Sequence, residues 1–69
     1  MNFKIREDEE FIKLGQLLKA VHMVSSGIEA KIVINEGQVK INGEVCMMRG
    51  KKVKKGDSVF FNGKEIKVI

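Results

Sequence analysis

Five cations fall within seven residues in the second half of the chain, at residues 49–55. Lys and Arg are the side chains that most often contact phosphate, and the planar guanidinium of Arg49 can hold two phosphate oxygens at once. Such a cluster on a small folded domain is typical of a nucleic-acid binding surface. Exposed lysines also keep proteins soluble, so the charge by itself leaves both interpretations equally open.

The other side chains that could act in catalysis or bind a metal have no second residue to act with. Cys46 is the single cysteine and His22 the single histidine, so the chain has no cysteine-based zinc site, no disulfide of its own and no nucleophile–base pair. We therefore expect no catalytic residue, no metal and no cofactor. We expect His22 at a helix end, Cys46 packed in a strand, and the acidic residues 7–10 leading into a helix near the positive end of its dipole.

Length and composition narrow the class of protein further. The chain has 69 residues, a formal net charge of +4 and no Pro, Trp or Tyr. We expect one small domain over residues 1–69, with too little core for a deep catalytic pocket. No apolar run approaches the roughly 20 residues of a membrane span, and the acidic start is unlike a signal peptide. We expect a cytoplasmic monomer with no membrane partner.

Residues 13–22 have the spacing of an amphipathic helix. Four apolar residues fall at i, i+3, i+4 and i+7 and form one stripe: Leu14, Leu17, Leu18 and Val21. Gly15 weakens the first turn by about 1 kcal/mol relative to Ala. The side opposite the stripe carries Lys13, Gln16 and Lys19.

A second helix is predicted to begin at Ser26. Ser26 and Glu29 match a capping box, in which the hydroxyl accepts from the third amide and the carboxylate accepts from the amide of the cap residue. Gly37 suits the left-handed residue that ends a helix. The inward face of this helix comprises Ala30, Val33 and Ile34, and another side carries Gly27, Lys31 and Asn35.

After Gly37 the apolar period changes from that of a helix to that of a strand. Asn42-Gly43 and Asn62-Gly63 each lie between alternating segments, which predicts two hairpins with type I′ turns. Residues 2–6 alternate as well and predict a short N-terminal strand. The order is typical of an α+β fold with two packed helices followed by short antiparallel strands. Phe60 and Phe61 cannot both face inward on a regular strand.

Over residues 13–59, seven short motifs follow one another in an order known from one protein family, without gaps. They are Lys13-Leu14, Ser25-Ser26-Gly27, Ala30-Lys31, Glu36-Gly37, Asn42-Gly43, Arg49-Gly50-Lys51-Lys52 and Gly56-Asp57. This set resembles the RNA-binding domain first described in small-subunit ribosomal protein four, also called the alpha-L motif. The stretches around Leu14 and Arg49 look most like small stand-alone bacterial members. The resemblance implies binding to structured RNA and association with ribosomes or ribosomal RNA.

The resemblance also implies a binding face on the two helices and the basic loop. The candidate RNA-binding residues are Lys13, Gln16, Ser26, Gly27, Lys31, Arg49, Lys51 and Lys52. Each has a simpler alternative: Ser26 as a helix cap, Gly27 as a packing residue, and the lysines as solvated surface. Many relatives carry Arg in place of Gly27 and Gly in place of His22. Because His22 replaces that glycine, the first helix ends either without a left-handed residue or with His22 in the left-handed conformation.

Two functions follow from the sequence. The first is a non-catalytic protein that recognises structured RNA, with ribosomal RNA preferred and transfer RNA as the open alternative. The second is a protein–protein adaptor that docks on a larger RNA-processing or ribosomal protein. An exposed apolar patch around Ile28, Ile32 or Met47-Met48 would favour the adaptor.

Overall fold

Two short helices pack on one face of a five-stranded sheet. A computed structural model describes residues 1–69 and contains strands β1 (Asn2–Phe3) and β2 (Ile12–Lys13), helices α1 (Leu14–Ala20) and α2 (Gly27–Asn35), and strands β3 (Val39–Ile41), β4 (Glu44–Val45), β5 (Lys52–Val53), β6 (Ser58–Phe61) and β7 (Lys64–Val68). The main sheet has the order β1-β7-β6-β3-β4, and β2 pairs with β5 in a second, two-stranded sheet. The predicted α+β fold is confirmed.

The core lies between the helices and the inner face of the main sheet. All 14 buried residues are hydrophobic and form one cluster, so no polar side chain has to be satisfied inside. The helices contribute Leu14, Leu17, Leu18, Ala30 and Ile34, as the helical spacing predicted. The strands contribute alternate residues, because successive side chains of a strand point to opposite faces.

Both predicted hairpins form at their Asn-Gly turns. Asn42 and Gly43 have φ of 51° and 85°, and Asn62 and Gly63 have φ of 53° and 77°. Positive φ at both central residues defines the type I′ turn and matches the twist of the flanking strands. The turns therefore set the register of β3 with β4 and of β6 with β7.

The N-terminal segment differs from the prediction. The strand there is β1, which is shorter than residues 2–6 and pairs parallel with β7. The expectation that residues 7–10 lie at the positive end of a helix is wrong, because β2 separates them from α1 and no acidic residue occupies the first turn of α1. Two of the acidic residues instead pair with a local cation, with the Nε of Arg6 3.5 Å from Asp8 and 3.7 Å from Glu9.

Both helices end in the same hydrogen-bonding motif. After α1, the amide of His22 donates to the carbonyl of Lys19 and the amide of Met23 donates to that of Leu18. After α2, Gly37 and Gln38 make the equivalent bonds. This is the Schellman motif, which requires a left-handed residue after the cap. Gly37 has φ +75° and His22 has φ 60°, so His22 takes the position that glycine occupies in α2.

No helix in the structure has both the length and the apolar character needed to cross a membrane.

We expect His22→Gly to raise the free energy of unfolding by up to about 1 kcal/mol, because glycine adopts the left-handed conformation without the steric cost of a Cβ. His22 is exposed, so little packing is lost. Gly37→Ala should lower the same free energy by about 1 kcal/mol for the converse reason. Urea denaturation followed by circular dichroism measures both, with His22→Ala as the control that keeps the left-handed strain. A destabilised His22→Gly variant would contradict the assignment.

Candidate nucleic-acid interface

A basic concavity of about 340 Å³ lies where α1, the start of α2 and the loop before β5 meet. Its walls are formed by Lys13, Gly15, Gln16, Lys19, Gly27, Ala30, Arg49 and Gly50. Three of these residues are cations, three are glycines and none is acidic. The two ion pairs of the structure both involve Arg6, so Lys13, Lys19 and Arg49 have no carboxylate partner and their charge is available to an anion.

Backbone hydrogen bonds fix the basic loop against the first turn of α1. The amide of Leu14 donates to the carbonyl of Lys51 at 2.9 Å, and the amide of Gly15 donates to that of Arg49 at 3.0 Å. Just before the helix, Ile12 pairs with Val53 and Lys13 with Lys52 in the β2–β5 sheet. The backbone of Arg49 is thereby held beside Lys13 although residue 49 belongs to no strand or helix.

Gly15 lies where the loop and α2 both meet α1. A Cβ on residue 15 would stand 3.6 Å from both the Cβ and the carbonyl oxygen of Arg49, and 3.9 Å from the Cβ of Ala30. These are ordinary van der Waals distances for a methyl group, and any longer side chain would enter the concavity. Gly15, which was predicted to weaken the helix, thus also forms part of the wall of the concavity together with Lys13 and Arg49.

The start of α2 is capped much as predicted. The Ser26 hydroxyl accepts from the amide of Glu29 at 3.1 Å. The Glu29 carboxylate accepts from the amide of Ser25 at 2.7 Å, so the reciprocal bond closes one residue earlier than in the predicted box. Gly27 follows the cap and lines the concavity, and a Cβ there would meet nothing within 4 Å. The wall therefore has room for a side chain at residue 27.

Four of the eight candidate residues surround the concavity: Lys13, Gln16, Gly27 and Arg49. The other four lie outside its lining. Ser26 is engaged as the cap of α2, and Lys31 is exposed one turn further along that helix. Lys51 lines a different groove, and the Nζ of Lys52 lies 4.9 Å from the centre of the Phe11 ring in a cation–π contact. A role of any of the eight in RNA binding stays a prediction.

Lys19 and the glycines at positions 15 and 50 complete the concavity but were not among the candidates. Lys19 could have been found from its spacing, because it follows Gln16 by three residues on the side of the helix opposite the apolar stripe. Gly50 gave no sequence signal of its own, since its place depends on how the loop folds back on α1.

A second groove of about 480 Å³ runs along the edge strand β4. It is lined by Ile41, Asn42, Glu44, Val45, Cys46, Met47, Met48 and Lys51. Val45, Met47 and Met48 are all more than half exposed. Cys46 packs against the core just after β4, with its Sγ 3.6 Å from the carbonyl oxygen of Met48. Five of the eight lining residues of this groove are hydrophobic, against one in the basic concavity.

Asp57 ties the far end of the basic loop to the first hairpin. Its carboxylate accepts from the backbone amide of Lys54 at 2.9 Å and from the side-chain amide of Asn42 at 3.1 Å. The bond from Lys54 lowers the pKa of Asp57 below its ordinary value of 3.8, against partial desolvation, and the bond from Asn42 and the charges of Lys54 and Lys51 lower it further. The ionised form is thus the one that holds the loop.

These features define a small α+β domain of the alpha-L type. A family model described as "S4 domain" matches residues 3–69, and the chain belongs to this family. It is 40% identical to YbcJ of Escherichia coli (strain K12) over an alignment of 58 residues, which covers 84% of this chain and 83% of YbcJ. It is 41% identical over 56 residues to "Probable ribosome maturation protein RlbA" of Bacillus subtilis (strain 168), over 81% of this chain and 79% of RlbA.

A solved structure supports the same assignment. The solution structure of YbcJ from Escherichia coli, described as revealing an alfaL motif involved in RNA binding, superimposes with a TM-score of 0.72 and 35% identity over 99% of this chain and 85% of YbcJ. The resemblance predicted from residues 13–59 is therefore confirmed, and the family match extends to the N-terminal strand and the last hairpin.

The Asp57 contacts predict a pH-dependent loss of stability. Because the pKa is lowered in the folded state, ionised Asp57 contributes stability above pH 3.8, and this contribution is lost as the pH falls through the folded pKa. At about pH 6, Asp57→Asn should lower the free energy of unfolding by about 1–2 kcal/mol, which is below the full value of hydrogen bonds to a charged group because Asp57 is partly exposed. The difference between the two proteins should shrink as the pH falls below 3.8 and vanish below the folded pKa of Asp57.

Urea denaturation at about pH 6 and at a series of pH values below 3.8 tests this prediction. Asp8→Asn is the matched control, because its ion pair with Arg6 is largely exposed and contributes little. A deficit of Asp57→Asn that does not shrink over this series would contradict the assignment of the ionised carboxylate to the loop.

Proposed function

We propose that this protein binds structured RNA without catalysing a reaction on it. The observation that carries the proposal is the basic concavity, where three cations without carboxylate partners face one open space. Phosphate contacts supply much of the affinity of nucleic-acid binding proteins. The glycines in the wall let a phosphodiester backbone come close to the protein backbone, which suits recognition of a folded RNA by its shape.

Ribosomal RNA is the preferred ligand within this proposal, and transfer RNA is the alternative. The names of two relatives support it, since the YbcJ structure is described as having a motif involved in RNA binding and RlbA is named a probable ribosome maturation protein. We infer a cytoplasmic protein that acts on or near the ribosome. Crosslinking of a tagged chain in cells, followed by sequencing of the bound RNA, should recover ribosomal RNA; recovery of background RNA alone would contradict the proposal.

The second candidate function is a protein–protein adaptor. The apolar groove beside β4 favours it, as do Ile28 and Ile32 on the outer side of α2, which are 74% and 51% exposed. Monomeric proteins expose few large apolar patches without a partner. In the crosslinking experiment, an adaptor would yield a larger RNA-processing or ribosomal protein in place of RNA.

The concavity predicts a steep dependence of RNA binding on salt. If the three cations of the concavity act together with Lys31, Lys51 and Lys52, contact with about four to six phosphates gives a slope of about −3 to −5 for the logarithm of the association constant against the logarithm of salt concentration. The double variant Lys13→Gln/Arg49→Gln removes two of these contacts and should make the slope shallower by about 1.5–2. Fluorescence anisotropy with a labelled stem-loop RNA measures both values.

The matched control for that variant is Lys4→Gln/Lys64→Gln, which removes the same charge from exposed positions outside the concavity. Its slope should stay close to that of the unchanged protein. Equal slopes for both double variants would mean that net charge, and not the concavity, attracts the RNA.

Gly27→Arg should increase the affinity for the same RNA. The wall has room for the side chain, and the resemblance places Arg at this position in many relatives. One further phosphate contact should raise the affinity by about tenfold at low salt, as expected for a charged hydrogen bond. Gly27→Ala is the control for the loss of glycine. Unchanged or weaker binding of Gly27→Arg would place the RNA away from the start of α2.

A further inference from the structure

The outer face of the main sheet carries an exposed aromatic ring at its centre. Strand β6 is the middle strand, and cross-strand partners share a face of a sheet. Val59 and Phe61 are buried beneath the helices, so Phe60 points to the opposite side, where its side chain is 46% exposed. This face lies across the core from the basic concavity.

The neighbours of Phe60 follow from the strand register. Lys40 of β3 stands directly opposite Phe60 on one side, and Glu65 of β7 stands opposite it on the other. Lys67 lies two residues beyond Glu65 on the same face, paired with Ser58. The Ser58 hydroxyl donates to one oxygen of the Glu65 carboxylate at 2.8 Å. The ring is therefore flanked by two cations and by a carboxylate that is already oriented.

This combination matches the chemistry of an unpaired nucleotide. A base stacks on an exposed aromatic ring, as in proteins that bind single strands. Lysines beside the ring attract the phosphates on either side of the base. A carboxylate at the edge of the ring accepts from the amino group of a base, and Ser58 leaves the second oxygen of Glu65 open for this. The two cations outnumber the single carboxylate, so the face favours an anion.

We propose that the outer face of the sheet binds an unpaired RNA base, stacked on Phe60 with Lys40 and Lys67 near its phosphates. The inference rests on the proposed RNA binding for the kind of ligand, but it concerns a separate surface and a different part of the RNA. Paired regions bind the concavity by shape, and an unpaired nucleotide binds the sheet. Val45 is also exposed on this face, but Lys40 stands between it and Phe60. The ring thus lies between charged side chains, which suits a base better than a protein partner.

Two RNA probes and three substitutions test the proposal. The probes are a single-stranded oligoadenylate and a blunt RNA duplex of the same length. Phe60→Leu keeps an apolar side chain but has no ring, and should weaken oligoadenylate binding about fivefold or more, the lower end for loss of one stacked base. Phe60→Tyr keeps the ring and should bind as the unchanged protein does. Both variants should bind the duplex normally.

The third substitution gives a direct signal of stacking. The chain contains no Trp or Tyr, so Phe60→Trp introduces a single fluorophore at the proposed site. Oligoadenylate should quench its emission as bases stack on the indole, and the duplex should not. Phe60 is on an exposed strand face, where aromatic side chains are well tolerated, so the variants are expected to fold.

The outcomes separate this inference from the proposed function. If the unchanged protein binds the duplex but Phe60→Leu binds oligoadenylate equally well, or Phe60→Trp emission does not respond, the sheet site is wrong and the RNA-binding proposal stands. If neither RNA binds, both proposals fail. If Phe60→Leu leaves RNA binding intact but releases a protein that otherwise copurifies, the face is a protein-binding surface and the inference is overturned.

Discussion

The interface depends on the attachment of the basic loop to the first turn of α1. A helix leaves its first four amides without partners inside the helix, and here the amides of Leu14 and Gly15 donate to carbonyls of the loop. The same two bonds therefore complete the helix end and fix the loop backbone at Arg49. Without them, residues 46–51 would be a flexible connection, and binding would have to overcome the conformational entropy of ordering it.

No acidic side chain lines the concavity, and several of them have partners elsewhere. Asp8 and Glu9 face Arg6, Glu29 accepts from the amide before the cap of α2, and Asp57 accepts from the loop and from Asn42. Glu65 accepts from Ser58 on the far side of the sheet. Like charges gathered in one place raise the free energy of the unliganded protein, though only modestly at an exposed surface. Binding of an anion relieves this repulsion.

Local signals made much of the fold predictable, and non-local pairings account for the rest. The apolar stripe of α1, the Ser26 cap and the two Asn-Gly turns act over a few residues, so the sequence indicated them directly. The pairing of β2 with β5 joins segments about 40 residues apart, so no signal within either segment indicated it. The candidate site divides in the same way: the spacing on α1 indicated Lys13 and Gln16, whereas Gly50 depends on the loop. Two conformations were open for His22, and only the backbone could decide between them.

The pair Phe60-Phe61 shows how far the fold dictates an exposed residue. The Asn62-Gly63 turn sets Phe61 opposite Lys64 and Phe60 opposite Glu65, and a slip of one residue would turn the buried side chains of the slipped strand outward, either Val59 and Phe61 or Ile66 and Val68. Each of these buried side chains contributes about 1.5–3 kcal/mol, so the register that exposes Phe60 is strongly preferred over the one that buries it. The fold thus requires some residue to face outward at position 60, but not an apolar one, since Thr or another polar residue suits a solvated strand face. Phenylalanine also suits a strand face, so folding permits it without requiring it, and contact with a ligand gives a physical reason for a ring between Lys40 and Glu65.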